Sequence, residues 1–248
     1  MKTIYSCGIK INPISVNEIS TLIDIWSKDD AKGIQITGVN KAQIALLYQD
    51  KEFASYINAS DIVNIDGVVV SWYLRLKGYK SCNRTLCADI LTMMLQKANE
   101  RSQSIYLLGA TQEILEQLVS NIQQQYPNIN IIGFHNGYFK DEREIVDDIK
   151  LRHPDYLFIG MPSPFKERFI TTYKKELGAR ICFGVGGMFD ILAGKTKRAP
   201  ERIQKMGLEW LYRIYQNPVG HTKRVFKTSL PCIAVFLKYL FESKKESI

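Results

Sequence analysis

Short apolar runs recur through the first two thirds of the chain, separated by longer stretches in which apolar positions return every three or four residues. The runs at residues 34–37, 61–65, 104–108, 129–133, 156–159 and 180–183 have the length and β-branched or aromatic content of strands. Between them the period changes. Ile114, Leu115, Leu118, Val119 and Ile122 share one face of a helix, and Thr111 stands where its N-cap belongs. Residues 68–77 form a second such stretch. Strands alternating with helices of about 10–15 residues predict an α/β fold built on a parallel sheet.

The last third changes character. From Ala199 onward the pattern holds no strand. Pro200 suits the first turn of a helix, and Leu208, Trp210, Leu211, Ile214 and Tyr215 continue at helical spacing. Pro218 interrupts, and a further helix is expected from about residue 222 to 242, with Pro231 kinking or starting its apolar block at 230–241. That block is shorter than the roughly 18–20 residues a bilayer-spanning helix needs. It can pack on the α/β core, or lie in a membrane interface as an amphipathic helix.

Charge turns the balance towards the membrane. Of 33 Lys/Arg and 25 Asp/Glu, residues 195–248 hold 12 and 4, whereas the first 194 residues hold 21 of each. The whole excess of +8 therefore sits in the C-terminal fifth, where it suggests an anionic partner: a phosphate-bearing ligand, a membrane surface or nucleic acid. The expected division is an α/β core at 1–198 and a helical, basic appendage at 199–248. On the membrane reading, removing the tail leaves a soluble core. A nucleic-acid partner would want stacking aromatics interleaved with the basic stripe, and Trp210 and Tyr212 are better explained by helix packing.

Composition excludes other classes. A chain that is 46% hydrophobic and 23% charged is not disordered. Cys7, Cys82, Cys87, Cys182 and Cys232 are odd in number and lack a C-x-x-C pair, against a disulfide framework or zinc knuckle. His135, His153 and His221 are not spaced as a ligand pair, and no D-x-D or G-x-S-x-G occurs. The N-terminus carries no signal-peptide core, so a cytosolic protein is expected.

Three segments can carry chemistry. Asp66-Gly67 ends a strand and opens a helix, where α/β folds place their sites. Its carboxylate can be a general base or merely a helix cap. Gly184-Val185-Gly186-Gly187 follows another strand and can let a diphosphate approach the backbone, or simply make a tight turn. It lacks the G-x-G-x-x-G fingerprint and the acidic residue of a nicotinamide site. Lys195, Lys197 and Arg198 form a basic turn soon after, either solvated or neutralising a diphosphate.

Taken together, ordered motifs from about residue 34 to 224 resemble the bacterial WecG/TagA/CpsF glycosyltransferases (glycosyltransferase family 26). They are Asn40; Asn64-Ile65-Asp66-Gly67; Arg84 with Asp89; Leu108-Gly109; Tyr126-Pro127 leading to Gly137-Tyr138-Phe139; and Gly160-Met161-Pro162-Ser163-Pro164-Phe165-Lys166-Glu167. Gly184 to Asp190, Gly194, Lys197-Arg198-Ala199-Pro200 and Gly207 to Arg213 complete them.

The resemblance implies a Rossmann-like core with a C-terminal appendage that docks on the membrane and closes over the site. It implies transfer of N-acetylmannosamine, its uronic acid or glucose from a UDP donor to a polyprenyl-diphosphate-linked glycan, in the synthesis of a cell-surface polysaccharide. Inversion of the anomeric centre, no metal, no cofactor and a peripheral place on the inner face of the cell membrane come with it; a homo-oligomer is left open. On the matching positions Asp66 is the base and Thr37 its neighbour. Tyr138 and Asp190 lie near the nucleotide, and Arg198, Arg213 and Arg224 near the diphosphates. Asn40, Arg84, Asp89, Lys166 and Glu167 line the donor and acceptor pocket, and Gly184, Gly186, Gly187 and Lys197 the diphosphate. A non-catalytic nucleotide or lipid-diphosphate binding protein of the same fold is the alternative. The chain departs from the family pattern at Lys166, where Gln is usual, at Cys87, where Gly is usual, and at Gly220, where a basic residue is usual.

Overall fold

The computed structural model describes residues 1–29 and 31–247. In chain order the elements are β1 (Thr3–Ser6), β2 (Ile9–Ile11), α1 (Val16–Lys28), β3 (Ile34–Val39), α2 (Lys41–Gln49), α3 (Phe53–Asn58), β4 (Ile62–Ile65), α4 (Val68–Leu76) and α5 (Cys87–Glu100). There follow β5 (Ser104–Gly109), α6 (Gln112–Gln125), β6 (Asn130–His135), α7 (Glu142–Arg152), β7 (Tyr156–Gly160), α8 (Phe165–Tyr173), β8 (Ile181–Gly184) and α9 (Met188–Leu192). The chain closes with α10 (Glu201–Lys205), α11 (Glu209–Gln216), α12 (Pro218–Leu240) and β9 (Lys245–Ser247).

Six strands form one sheet in the order β4-β3-β8-β7-β5-β6, with every neighbouring pair parallel. These are the six strands expected from the apolar runs, each within two residues of its expected bounds. Ile36, Val63, Leu107, Phe158 and Phe183 are fully or almost fully buried, as a sheet covered on both faces requires. One face packs on α1, α5, α6 and α9 through Ile19, Met94, Leu118 and Phe189. The other is covered by two groups: α7 with α8, and α2, α3, α4 and α12 together with β1 and β2.

The C-terminal segment departs from expectation in two ways, at Pro218 and after α12. Pro218 does not break the chain but opens α12 at its first turn, capped by Asn217, whose side chain accepts from the Gly220 N–H. Of the two places left open for Pro231, inside a helix or at its start, it takes the first, within the 23-residue α12. A strand, β9, follows where none was expected: it pairs antiparallel with β1, which also pairs with β2. Lys2 meets Glu246 at 2.9 Å across this pair, and the Lys244 ammonium donates to the Gly78 carbonyl at 2.9 Å. Ile248, the last residue of the expected tail, lies outside the described residues.

The two readings of α12 resolve by face. Cys232 and Val235 are buried in the core they share with Val39, Ile44, Tyr73 and Leu74, and Phe236 stacks on Tyr73 with ring centroids 4.0 Å apart. On the opposite side Phe226, Leu230 and Phe241 are 73%, 77% and 91% exposed. The helix thus packs on the core and still presents an apolar face outward. A soluble core without it is not expected, because Val39, Ile44 and Tyr73 would lose their cover. No described helix is long and apolar enough to cross a membrane.

Candidate active site

The C-terminal ends of the parallel strands converge on one edge of the sheet, and Asp66 stands just past β4. Its backbone N–H and that of Gly67 both donate to the Val39 carbonyl, at 3.0 and 3.1 Å, which turns the chain from β4 into α4 beside β3. A side chain at Gly67 would lie 2.7 Å from Asn40 Cα, so only glycine lets the two segments touch.

The Asp66 carboxylate is held by one donor on each oxygen. Oδ1 accepts from the Cys87 N–H at 2.8 Å, and Oδ2 from Asn40 Nδ2 at 3.2 Å. The orientation of the Asn40 amide follows from its other work. Its Oδ1 caps α2 by accepting from the Ala42 N–H at 2.9 Å, so its Nδ2 must face Asp66. Asp66 is half-buried and keeps lone pairs for an incoming hydroxyl. Cys87 lies against it. Burial, and then the neighbouring Asp66 charge, push the Cys87 thiol well above the usual range, so it stays protonated and is no nucleophile. Its sulfur occupies the space of Gly38, where a Cβ would come within 2.1 Å.

A second polar centre lies where β7 leads into α8, three strands from β4, and is wired to the first. Asn40 N–H donates to Gln43 Oε1, and Gln43 Nε2 donates to Ser163 Oγ at 3.0 Å. Ser163 in turn donates to Glu167 Oε1, at 2.8 Å. The Lys166 ammonium donates to both Ser163 Oγ and Glu167 Oε1, while its stem packs over Gly184 at the end of β8. Lys166 and Glu167 are 5% and 1% exposed, and Glu167 Oε2 has no hydrogen-bond partner among the described residues. This pair is tightly interdependent. Lys166→Met should cost about 3–5 kcal/mol, because it strands a buried carboxylate. Urea unfolding measures that loss, and Lys166→Met with Glu167→Met should recover most of it.

The other expected residues fall into distinct places. Thr37 is buried and its hydroxyl bonds Ser60 Oγ at 2.8 Å, so it forms part of the floor beneath the site. Arg198 grips Asp89 of α5 at 2.5 Å, and Arg84 donates to the Gln204 carbonyl at 2.6 Å. Together these fasten α10 and the segment before it against α5. Asp190 meets Lys195 at 3.6 Å. The backbone of Lys197 is bracketed by the Gln216 amide, at 2.9 Å on both sides. In the glycine loop the N–H groups of Val185 and Gly186 both donate to the Ile159 carbonyl. What Gly186 offers is therefore close approach rather than donation: at φ +55° it has open space around its Cα, and Gly187 next to it is almost as open.

Between β5 and β7 the outgoing connections run to opposite sides of the sheet, which is the switch point where such sheets bind ligands. Gly109, at φ +133°, sits against Gly160, where a Cβ would meet backbone at 2.6 Å. Gly137 is held there by its N–H on the Ala110 carbonyl, and the next residue, Tyr138, is 77% exposed. Arg213, His221 and Arg224 gather where α11 meets α12, with Glu209 3.8 Å from Arg213. Desolvation and the neighbouring arginine charges hold both His221 and Arg224 below their ordinary values, a repulsion that an anion would relieve. Among the described residues no group of three or more His, Cys, Asp or Glu side chains converges as a metal site requires.

Sequence reasoning missed Gln43, Ser163 and Lys41. The first is signalled by Asn40 with a glutamine three residues on, the spacing of a capping box. Lys41 reaches α12, where its ammonium donates to the Val225 carbonyl at 3.1 Å and to Ser229 Oγ at 3.0 Å.

Residues 4–246 match the model of a family described as glycosyl transferase WecG/TagA/CpsF. A Bacillus subtilis (strain 168) protein named N-acetylglucosaminyldiphosphoundecaprenol N-acetyl-beta-D-mannosaminyltransferase is 30% identical over 209 residues, covering 83% of this chain and 82% of its own. Proteins of the same name from Staphylococcus aureus are similar too. That of strain MW2 is 29% identical over 95% of this chain and 90% of its own, and that of strain NCTC 8325 is 31% identical over 86% and 85%.

Proposed function

This chain belongs to the WecG/TagA/CpsF glycosyltransferase family, and we propose that it moves an N-acetylhexosamine from a UDP-linked donor to a polyprenyl-diphosphate-linked N-acetylglucosamine. The observation that carries this reading is the Asp66 carboxylate, oriented on both oxygens by Cys87 and Asn40 and still open to a ligand. The named relatives supply the acceptor class.

The reaction is a single inverting displacement. The acceptor hydroxyl attacks the anomeric carbon, Asp66 takes its proton, and the bond from that carbon to the diphosphate oxygen breaks. One carboxylate suffices because no glycosyl-enzyme forms. UDP departs with growing negative charge. The switch point at β5 and β7 suits the nucleotide, with the exposed Tyr138 ring at its rim for the base. The open backbone of Gly186 and Gly187 lies two strands from Asp66, about 10 Å at the usual spacing, a span that suits a sugar and the start of a diphosphate. Arg213 and Arg224 meet the anionic charge in place of a carboxylate-held metal. Lys166, in the Ser163–Glu167 network, fixes the wall beside Gly184 and bears on donor choice.

The test offers the purified chain a panel of UDP-sugars and undecaprenyl-diphosphate-linked N-acetylglucosamine, with and without EDTA. Transfer of one N-acetylhexosamine with inverted configuration, unaffected by EDTA, is expected. UDP binding without transfer from any donor would favour a non-catalytic binding protein instead.

We also take residues 199–248 to dock the protein on the cytoplasmic face of the membrane. Phe226 and Leu230 face outward on α12 and Phe241 just past its end, and Lys223 and Lys227 flank the first two. The intact chain should co-sediment with anionic vesicles in preference to neutral ones. Added salt should weaken that binding, since exposed charges are screened over about 8 Å at physiological ionic strength. Equal binding to both kinds of vesicle would defeat the docking assignment.

A further inference from the structure

Helices α4 and α12 lie side by side and run in the same direction. Tyr73 stacks on Phe236, and four residues later, at the end of α4, the Lys77 ammonium donates to the Tyr239 carbonyl at 2.7 Å. Between them is a groove of about 480 Å³ whose walls are Val69, Trp72 and Leu76 on one side and Ile233, Leu237 and Leu240 on the other. The Tyr73–Phe236 stack is its floor. Trp72, Leu76, Ile233 and Leu237 are all more than half exposed along it.

Both walls start at the candidate catalytic carboxylate. Helix α4 begins two residues after Asp66, so Val69 is within one turn of it and Leu76 lies about 10 Å further out. Helix α12 is pinned at the same place, because Lys41, next to the Asn40 that holds Asp66, bonds Val225 and Ser229. The groove therefore leads outward from Asp66. The chain's polarity changes along it. The head of α12 carries His221, Lys223, Arg224 and Lys227, no residue of the helix is acidic, and the part that walls the groove is apolar.

We propose that this groove seats the isoprenoid chain of the lipid-linked acceptor, so that the first isoprene units lie between α4 and α12 while the glycan reaches Asp66. A molecule with a hydroxyl at one end, a diphosphate in the middle and a branched hydrocarbon beyond has the same order of chemistry as the surface from Asp66 through the cationic head of α12 to the groove. The inference rests on the lipid-linked acceptor proposed above. Leu237 shares one helical stripe with the docking residues Phe226 and Leu230, so the two uses are told apart by the bilayer, which docking needs and the groove does not.

The experiment is done in detergent micelles, where no bilayer is present. Transfer is compared between N-acetylglucosamine diphosphate carried on undecaprenol and the same head group carried on a short alkyl chain. The full-length chain should prefer the undecaprenyl acceptor. Leu237→Glu and Leu76→Glu, both at exposed positions that should not disturb folding, should each reduce that preference, as a ratio of kcat/KM values, at least tenfold. Equal losses with both acceptors, or an unchanged ratio, would overturn the groove. A loss seen with vesicles but absent in micelles would also overturn it and assign these residues to the bilayer. Binding is read separately from catalysis. Undecaprenyl diphosphate added to the full-length chain should shift Trp72 emission to shorter wavelength, a change absent in Trp72→Phe. That shift without any sugar transfer would support the groove while sinking the transferase reading, and transfer without the shift would do the reverse.

Discussion

Asp66→Asn should lower turnover by about 10²–10⁴-fold while UDP binding is kept. That range is what a positioned general base contributes to proton transfer in the transition state. The substitution is nearly isosteric, and the Asn side chain can still accept from the Cys87 N–H that holds Oδ1 now. It cannot take a proton from the acceptor hydroxyl. Asn40 Nδ2 would have to face either an amide oxygen or an amide nitrogen, so a modest loss of stability is also expected. The nucleotide is expected at the switch point four strands away, where Tyr138 and Gly137 are untouched. Calorimetric titration of UDP beside steady-state kinetics separates the two effects. Near-normal turnover in a folded Asp66→Asn protein would remove Asp66 from the chemistry.

Ending the chain after Asn217 should abolish cooperative folding rather than release a soluble core. The cut removes Cys232, Val235, Phe236, Tyr239 and Leu240 from the core they share with α2 and α4. Fully burying a large apolar side chain is worth about 1.5–3 kcal/mol. Several such losses approach the whole 5–15 kcal/mol by which a domain is stable. The cut also strips β9 from β1 and removes the helix that Lys41 and Lys77 hold. Thermal unfolding followed by circular dichroism, with solubility, reads the outcome. A truncated chain that is soluble and melts cooperatively near the full-length temperature would show that α12 is dispensable to the core. Leu230→Ser, on the outward face, should by contrast leave melting nearly unchanged.

Most of the parallel sheet was legible because its strands are buried on both faces and read as continuous apolar runs. The small sheet was not. β9 is Lys-Glu-Ser, with no apolar residue in it, and it becomes a strand only because β1 offers an unpaired edge. β1 and β2 are four and three residues long, too short for a period to show. Pro218 misled for a related reason: a proline interrupts a helix in its interior but starts one at its first turn, and only the Asn217 cap distinguishes the two.

At the candidate site, the place of Asp66 between a strand and a helix was legible. The roles of Arg84 and Arg198 were not. Arg84 read as lining the donor and acceptor pocket and Arg198 as a free cation for a diphosphate, and both are engaged in the fold, on Gln204 and Asp89. Basic residues in a sequence announce charge but not whether a neighbour has already met it. Lys166 carries the same lesson more sharply, since its counter-charge is the very next residue, a neighbour that helical geometry usually points elsewhere.

The pairing of β1 with β9 also orders events in time. β1 is made about 240 residues before its partner. At about 5–20 residues per second, that separation takes roughly 12–50 s of synthesis. For nearly all of that interval the edge of β1 is unpaired, and the apolar surface of α2 and α4 waits for α12. The six-stranded sheet can be complete while this half of the molecule is still open, because β8 is finished about 60 residues before β9 begins. Synthesis of α12 and β9 is thus the step that closes this half of the fold. A chain cut short by a premature stop before α12 would carry an assembled sheet beside an uncovered apolar face, a form for chaperones and proteases to recognise.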